Sequence, residues 1–398
     1  MLNTKYSSWP SFDQEEADAV RDVLLSKKVN YWTGDEGRKF EEEFAEWVGI
    51  KHAVALSNGT VALEFSFKAL GIGVGDVGYD EIIVTSRTFL ASVSAIINVG
   101  ANPVFVDLDR DSQNITAETI EPAITNNTKA ILCVHLVGWP CEMDQIMELA
   151  KKHNLFVIED CAQAHGASYR RRSVGSIGDI GCWSFCQDKI MTTGGEGGMV
   201  STNSRDIWSK IWSYKDHGKS WGAVYEKKHP PGFQWLHESF GTNGRMTEMQ
   251  AAIGRIQLKR MEQWHRARIG NANAILDCCS EFPSLFRVPR PPGHIKHAWY
   301  KCYVFVRPEG LAQGWTRDRV IEEINGRDVP CYHGSCSEVY LEKAFDGTCF
   351  RPKERLPVAK VLGENSMMFL VHPTLTKEEI DLTCSVIEEV AKLAGLQA

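Results

Sequence analysis

Over its first 160 residues the chain alternates short apolar runs with longer amphipathic ones. The apolar runs AVAL (53–56), EIIV (81–84), PVFVD (103–107), KAILCVH (129–135) and LFVIED (155–160) read as buried strands. Helical periodicity fills the intervals. Ser11 followed by Gln14 predicts a capping box opening a helix to about Leu25. RKFEEEFAEWVG puts Phe40, Phe44 and Trp47 on one face and stops at Gly49. VALEFSFKAL, FLASVSAIINVG and IMELAKKHN continue the helical series. Continuous apolar strands alternating with helices predict a mainly parallel sheet covered on both faces.

The pattern changes after TEMQAAIGRIQLKRMEQWHRARIGNANAILDCC, which predicts one long helix or two. From about Ser280 come a Pro-rich loop (RVPRPPGH), a strand (YKCYVFV), a helix (RDRVIEEING) and a closing helix (KEEIDLTCSVIEEVAKLAG). The expected class is therefore α/β. Residues 1–279 would form an N-terminal arm and a large mainly parallel-sheet domain that includes the long helix. Residues 280–398 would form a smaller C-terminal α+β domain.

With 398 residues, 43% hydrophobic and 24% charged, the composition is that of a soluble enzyme. A net charge of −7 argues against a general nucleic-acid binder, while leaving room for a local cluster of donors around a small anion. No run reaches the length of a membrane span or a signal-peptide core, so neither is expected. The twelve cysteines are scattered and form no CxxC pair, which predicts reduced thiols in a cytoplasmic setting and no zinc site.

In a wound parallel sheet, ligands bind beyond the carboxyl ends of the strands. After AVAL stand Ser57, Asn58, Gly59 and Thr60, opening a helix. Free N–H groups and a positive dipole end suit a phosphate there, and an ordinary N-cap explains the same residues. Phe89 follows EIIV, as a stacking aromatic or as core. Asp160 ends LFVIED, where a buried carboxylate needs a partner, a helix N-terminus being one. Lys189 precedes Gly194-Gly195-Glu196-Gly197-Gly198, a loop for backbone that turns tightly or approaches something closely. A phosphate cradle, an aromatic, a strand-end carboxylate and a lysine in one crevice are what pyridoxal 5′-phosphate requires. A dinucleotide fingerprint is not expected, because GIGVGDVG (71–78) follows a helical stretch instead of a strand.

SNGTVAL, DEIIVTSRTFLASVSAI, VIEDCAQAHGA, SFCQDKIMTTGGEGG and GTNGRMTEMQAAIGRIQL resemble the DegT/DnrJ-type sugar aminotransferases, over essentially the whole chain. These are fold-type I enzymes dependent on pyridoxal 5′-phosphate. The resemblance implies that Lys189 forms the Schiff base and that Asp160 partners the pyridinium nitrogen. Gln163 would lie at the cofactor face or its 3′-oxygen, and Phe89 would stack. Gly59, Thr60 and Ser184 would bind the phosphate. Asn243 would reach the phosphate of a neighbouring subunit, implying a homodimer with shared sites. Related dehydratases carry histidine in place of the lysine, so Lys189 points to transamination from glutamate to a nucleotide-linked keto-sugar.

His217, Tyr332 and His333 are candidate donors to the nucleotide, each better explained as a surface or loop residue. The run Arg170–Arg172 is a further candidate, better explained as a solvated hairpin because adjacent strand residues face opposite sides. NYWTGDEGRKFEEEF and GSCSEVYLEKAF resemble enzymes acting on UDP-4-keto-6-deoxy-N-acetylhexosamine in bacillosamine-type glycan synthesis. Alternatives are amination at C3 of another UDP- or TDP-linked sugar, and a regulatory protein on the same fold. Three departures from the family pattern stand out. Cys186 replaces a frequent histidine, Arg171 replaces the glycine of a Y-x-G-R hairpin, and GVGDVGYDEIIV is longer than usual.

Overall fold

The computed structural model describes residues 6–73 and 79–396. Part of the long GVGDVGYD stretch therefore lies outside the described residues. A seven-stranded sheet runs in the spatial order His52–Leu56, Gly198–Thr202, Ile180–Ser184, Phe156–Asp160, Thr128–Val134, Glu81–Thr85, Asn102–Val106. Gly198–Thr202 pairs antiparallel with both of its neighbours, and the remaining pairs are parallel. Buried β-branched and aliphatic side chains (Ile82, Ile83, Val84, Ile131, Leu132, Val157, Ile158) fill the middle strands, as a sheet covered on both faces requires.

Five of these strands follow the apolar runs to within a residue or so. Ile180–Ser184 and Gly198–Thr202 carry no such signal and were not expected as strands. The first helix, Gln14–Ser26, begins two residues from the expected box: its N-cap is Asp13, whose N–H donates to the Glu16 carboxylate at 2.7 Å. A carboxylate accepts more strongly than the Ser11 hydroxyl and favours the positive end of the helix dipole. Glu36–Val48 presents Phe40 and Phe44, fully buried, to Phe185 at 5.5 and 5.7 Å between ring centres. This aromatic pile supports the chain just after Ser184.

The long segment is one helix, Glu248–Ser280, opened by a Thr247–Gln250 capping box. Its first half packs in the main core through Ala251, Leu258 and Met261. Its second half joins a second core through Ala272, Ile275 and Cys279. That core lies on a four-stranded sheet ordered Phe286–Arg287, Cys302–Val306, Ser366–Phe369, Cys331–Tyr332, with the helices Arg317–Asn325 and Lys377–Ala394. The N-terminal arm is tied across the molecule. The Tyr6 hydroxyl donates to the Glu379 carbonyl at 3.0 Å, and the Trp9 indole N–H donates to the Lys189 carbonyl at 2.8 Å.

The hairpin at the arginine run keeps its two-residue turn between Ser168–Tyr169 and Arg172–Ser173. Arg170 and Arg171 both take left-handed backbone, at φ 48° and 66°. Glycine or asparagine normally occupies such a turn, so Arg171 holds a conformation that costs a side-chain-bearing residue about 1 kcal/mol. The side chains of Arg170 and Arg172 lie on the surface and pair with Asp144. Arg171→Gly should therefore stabilise the protein by about 1 kcal/mol, read as a higher thermal midpoint. An unchanged or lower midpoint would show that the turn carries no strain.

Candidate active site

The carboxyl ends of the parallel strands converge on a cavity of about 480 Å³. The helix Gly59–Ala69 aims its N-terminus there, with Asn58 as cap accepting from the Val61 N–H at 2.9 Å. Gly59 is required by close approach, because a Cβ at that position would lie 2.6 Å from the Ser184 Cβ. Thr60 and Ser184 stand beside it on the cavity wall. Exposed N–H groups at a helix start, two hydroxyls and no side chain in the way form a cradle for an anion.

Asp160 closes the cavity floor. Its carboxylate accepts from the Ser92 hydroxyl at 2.9 Å and from the Ala162 N–H at 3.1 Å, and Ser92 pairs in turn with Thr88 at 2.9 Å. Burial pushes the Asp160 carboxyl above the usual carboxylate range, against the pull of those two hydrogen bonds and of Lys189. The preceding residue, Glu159, points to the opposite face, where its neighbours satisfy it fully. Burial raises it too, but His135 at 2.9 Å and the N–H groups of Gly175, Ile177 and Gly178 bring it below the usual range. His135 accepts from the Cys141 N–H at 3.0 Å through its other nitrogen, so this pair has no lone pair turned outward for a metal.

Lys189 lines the same cavity, 15% exposed, with its N–H bonded to the Cys186 carbonyl at 3.1 Å. The glycines after it bend the chain back into the Gly198–Thr202 strand, Gly195 at φ 127° where a side chain would be strained. His165 packs against Phe185, and burial, with Lys189 and Arg268 nearby, lowers it to about 3, so that ring is uncharged. Phe89 stands at the rim, 70% exposed. Gln163 also lines the wall, its side-chain oxygen accepting from the Val137 N–H at 2.8 Å, which leaves the amide NH₂ to donate elsewhere. Cys186 is on the wall next to Glu196, and burial with that carboxylate raises its thiol.

Four candidates lie elsewhere. Asn243 is exposed in an isolated pairing with Asp216 and does not line this cavity. His217 is exposed and left-handed at φ 59°, its N–H bonded to the Thr242 carbonyl. Tyr332 and His333 belong to the edge of the second sheet, where His333 sits 3.2 Å from Asp318. Ser92, which buttresses Asp160, was not singled out from sequence, although its place four residues after Thr88 on a helix start pairs the two.

The model of the DegT/DnrJ/EryC1/StrS aminotransferase family matches residues 10–389. The chain belongs to this family. A GDP-perosamine synthase of Escherichia coli O157:H7 is 36% identical over 385 residues, covering 96% of each chain. A UDP-N-acetyl-3-dehydro-alpha-D-glucosamine 3-aminotransferase of Acidithiobacillus ferrooxidans is 34% identical, covering 92% of this chain and 94% of that one. The X-ray structure of an aminotransferase from Psychrobacter cryohalolentis is 60% identical, with a TM-score of 0.95 over 98% of this chain and 99% of the other. The family consists of pyridoxal phosphate enzymes of this α/β fold.

Because burial raises Asp160, its ionised form weighs against the fold when nothing cationic lies beside it. That cost is present above the raised value and vanishes as pH falls through it. Asp160→Asn should therefore raise the melting temperature of the cofactor-free protein at neutral pH, with a gain that shrinks on acidification. A gain that grew on acidification would contradict the assignment.

Proposed function

We propose that the protein transfers an amino group from glutamate to a nucleotide-linked keto-sugar, using pyridoxal 5′-phosphate. The observation that carries this reading is the pairing, in one cavity, of a primary amine, Lys189, with a buried carboxylate, Asp160, that burial holds above its usual range. The donor set suits the cofactor. The raised carboxyl of Asp160 is relieved by a protonated ring nitrogen, and the open N-terminus at Gly59 and Thr60, with Ser184, accommodates a phosphate. Phe89 offers a face for the ring, and the free NH₂ of Gln163 a donor for its 3′-oxygen.

When bound, the cofactor supplies an electron sink for the carbon that gives up its proton. Lys189 Nζ takes that proton and returns it on the cofactor side, and only the neutral amine can take it. Asp160 holds the ring nitrogen protonated, and Ser92 with the Ala162 N–H keeps Asp160 oriented. The helix start and Ser184 fix the phosphate, so the reacting carbon stays within reach of one amine. Cys186, which stands where the family pattern often has histidine, and Glu196 line the same cavity as the amine.

We assign the acceptor as a UDP-linked 4-keto-6-deoxy-N-acetylhexosamine of bacillosamine-type glycan synthesis, on the resemblance of NYWTGDEGRKFEEEF and GSCSEVYLEKAF. The relatives named above work on GDP- and UDP-linked sugars. His217, Tyr332 and His333, distant from the cavity in one chain, would serve the nucleotide only where substrate or a second subunit bridges the gap. A homodimer supplies that bridge. Asn243 is solvent-facing, and the segment before it exposes Phe233, Trp235 and Phe240 at 75, 78 and 99%, more apolar area than a free surface loop normally shows. All twelve cysteines are free, which supports a reduced cytoplasmic setting.

Borohydride should fix pyridoxal phosphate to Lys189, located by peptide mass, and Lys189→Ala should abolish transamination while retaining the fold. Normal turnover by that variant would overturn the reading. With glutamate and a panel of keto-sugar nucleotides, NMR should find the new amine at C4 of the UDP sugar. An amine at C3, or turnover with a GDP- or TDP-linked sugar alone, would replace the substrate and leave the chemistry standing.

Mixing Lys189→Ala with Asn243→Asp protein tests the shared site. After subunit exchange, about a quarter of wild-type activity should return, since half the dimers are mixed and each carries one intact site. No recovery, with a monomer by light scattering, would remove the dimer.

A further inference from the structure

Lys189 is held by more than the cavity wall. Its Nζ lies 3.5 Å from Asp188 Oδ1 and 5.2 Å from the centre of the Tyr300 ring. The Tyr300 hydroxyl donates to the other oxygen, Asp188 Oδ2. One carboxylate thus joins a phenol and the amine.

Tyr300 is itself rigidly placed. Its N–H donates to the Val137 carbonyl at 2.9 Å. The fully buried Arg268 donates to the carbonyls of Trp299 and Tyr300, both at 3.3 Å. Trp299 sits in left-handed backbone at φ 52°, a conformation that costs a bulky residue on the order of 1 kcal/mol and persists only where its surroundings over-determine it. Tyr300 follows this turn two residues before the Cys302–Val306 strand begins.

The charges around Asp188 come from several elements. Lys189, Cys186 and Glu196 belong to its own loop, Lys301 and Tyr300 to the entry of the Cys302–Val306 strand, and Arg268 to the long helix. Burial works to raise Asp188, and Lys189, the Tyr300 hydroxyl and Lys301 more than offset it, so it is held below the usual carboxylate range. Burial, with Arg268 and Lys189, lowers Lys301 to about 8, Asp188 opposing. Lys189 and Lys301 both have Asp188 as a neighbouring carboxylate. Its side chain is 58% exposed, so solvent screens its attraction for the amine. What it fixes is a place.

We propose that Asp188, set by Tyr300, is a positioning residue for Lys189: it keeps the amine at one point of the cavity wall whenever the amine is not joined to the cofactor. The proposal rests on the function proposed above. A lysine free to carry protons has four rotatable bonds, and confining it costs up to about 2 kcal/mol of rotamer entropy. A fixed carboxylate at 3.5 Å supplies that confinement before each proton transfer and before each return to the cofactor.

The test uses cofactor-free full-length protein. Added pyridoxal phosphate joins Lys189 when the amine adds to the aldehyde carbon and water leaves. Hydride from borohydride then locks the bond, and intact mass counts it against time. Pyridoxamine 5′-phosphate, with an amine in place of the aldehyde, cannot join a lysine, so its affinity reports the cradle alone. Asp188→Asn should slow attachment about tenfold or more, with pyridoxamine phosphate affinity within about twofold of wild type. Asp188→Glu should restore most of the rate. Tyr300→Phe should slow attachment less and add nothing to Asp188→Asn, because it acts through that carboxylate. An unslowed Asp188→Asn, or equal losses of rate and pyridoxamine phosphate affinity, would overturn the proposal alone. A wild-type chain that captured no aldehyde would overturn the cofactor reading and the proposal with it.

Discussion

The site depends on an imbalance between two adjacent carboxylates. Glu159 and Asp160 end the same central strand, and strand alternation sends them to opposite faces of the sheet. Glu159 meets four donors and is held below its usual range; Asp160 meets two and is held above it. The same chemical group becomes a fully bonded structural tie on one face and, on the other, a carboxylate with a single donor on each oxygen. A buried carboxylate whose ionised form burial disfavours suits a cationic ligand atom, which recovers what burial costs.

Rigidity around that acceptor comes from packing. Phe40 and Phe44 hold Phe185, and Phe185 leads directly from Ser184 on the cradle to Lys189 on the opposite wall. The helix start at Gly59 can approach Ser184 only because Gly59 has no Cβ, which would lie 2.6 Å from that of Ser184. The lysine and the phosphate cradle are therefore spaced by a short stretch of chain lying on an aromatic platform, and any shift in the platform would change their separation. A close-packed interior compresses little, which keeps the two fixed relative to each other.

Much of this was readable from sequence, for physical reasons that also mark where reading stops. Parallel strands buried on both faces are continuous apolar runs, so five announced themselves, and the residue after each run was automatically a site candidate. Gly59, Thr60, Phe89 and Asp160 follow from such strand ends, Lys189 from the glycine-rich loop, and Gln163 and Ser184 from the family resemblance; all seven line one cavity. Ile180–Ser184 and Gly198–Thr202 were not legible, since glycine, cysteine and serine dilute the apolar signal. Asp188 gave no hint of Tyr300, 112 residues away, because their contact depends on how the small sheet docks. The capping box slipped by two residues because two overlapping boxes fit the same stretch. Asn243, His217, Tyr332 and His333 stayed apart from the cavity, as residues whose positions are set by loops and sheet edges instead of by strand ends.

The arm at the start of the chain gives the site a dependence on the end of the chain. Trp9 covers the Lys189 carbonyl, and Tyr6 is anchored on Glu379 in the closing helix. In order of synthesis, Trp9 precedes its partner Lys189 by 180 residues and Tyr6 precedes its anchor Glu379 by 373. The large sheet has all its strands well before that, so a nascent chain can hold its cavity while the backbone beneath the lysine is still uncovered. The arm can close only once the Lys377–Ala394 helix has been made, so the support beneath the lysine is completed after the sheet that forms the cavity.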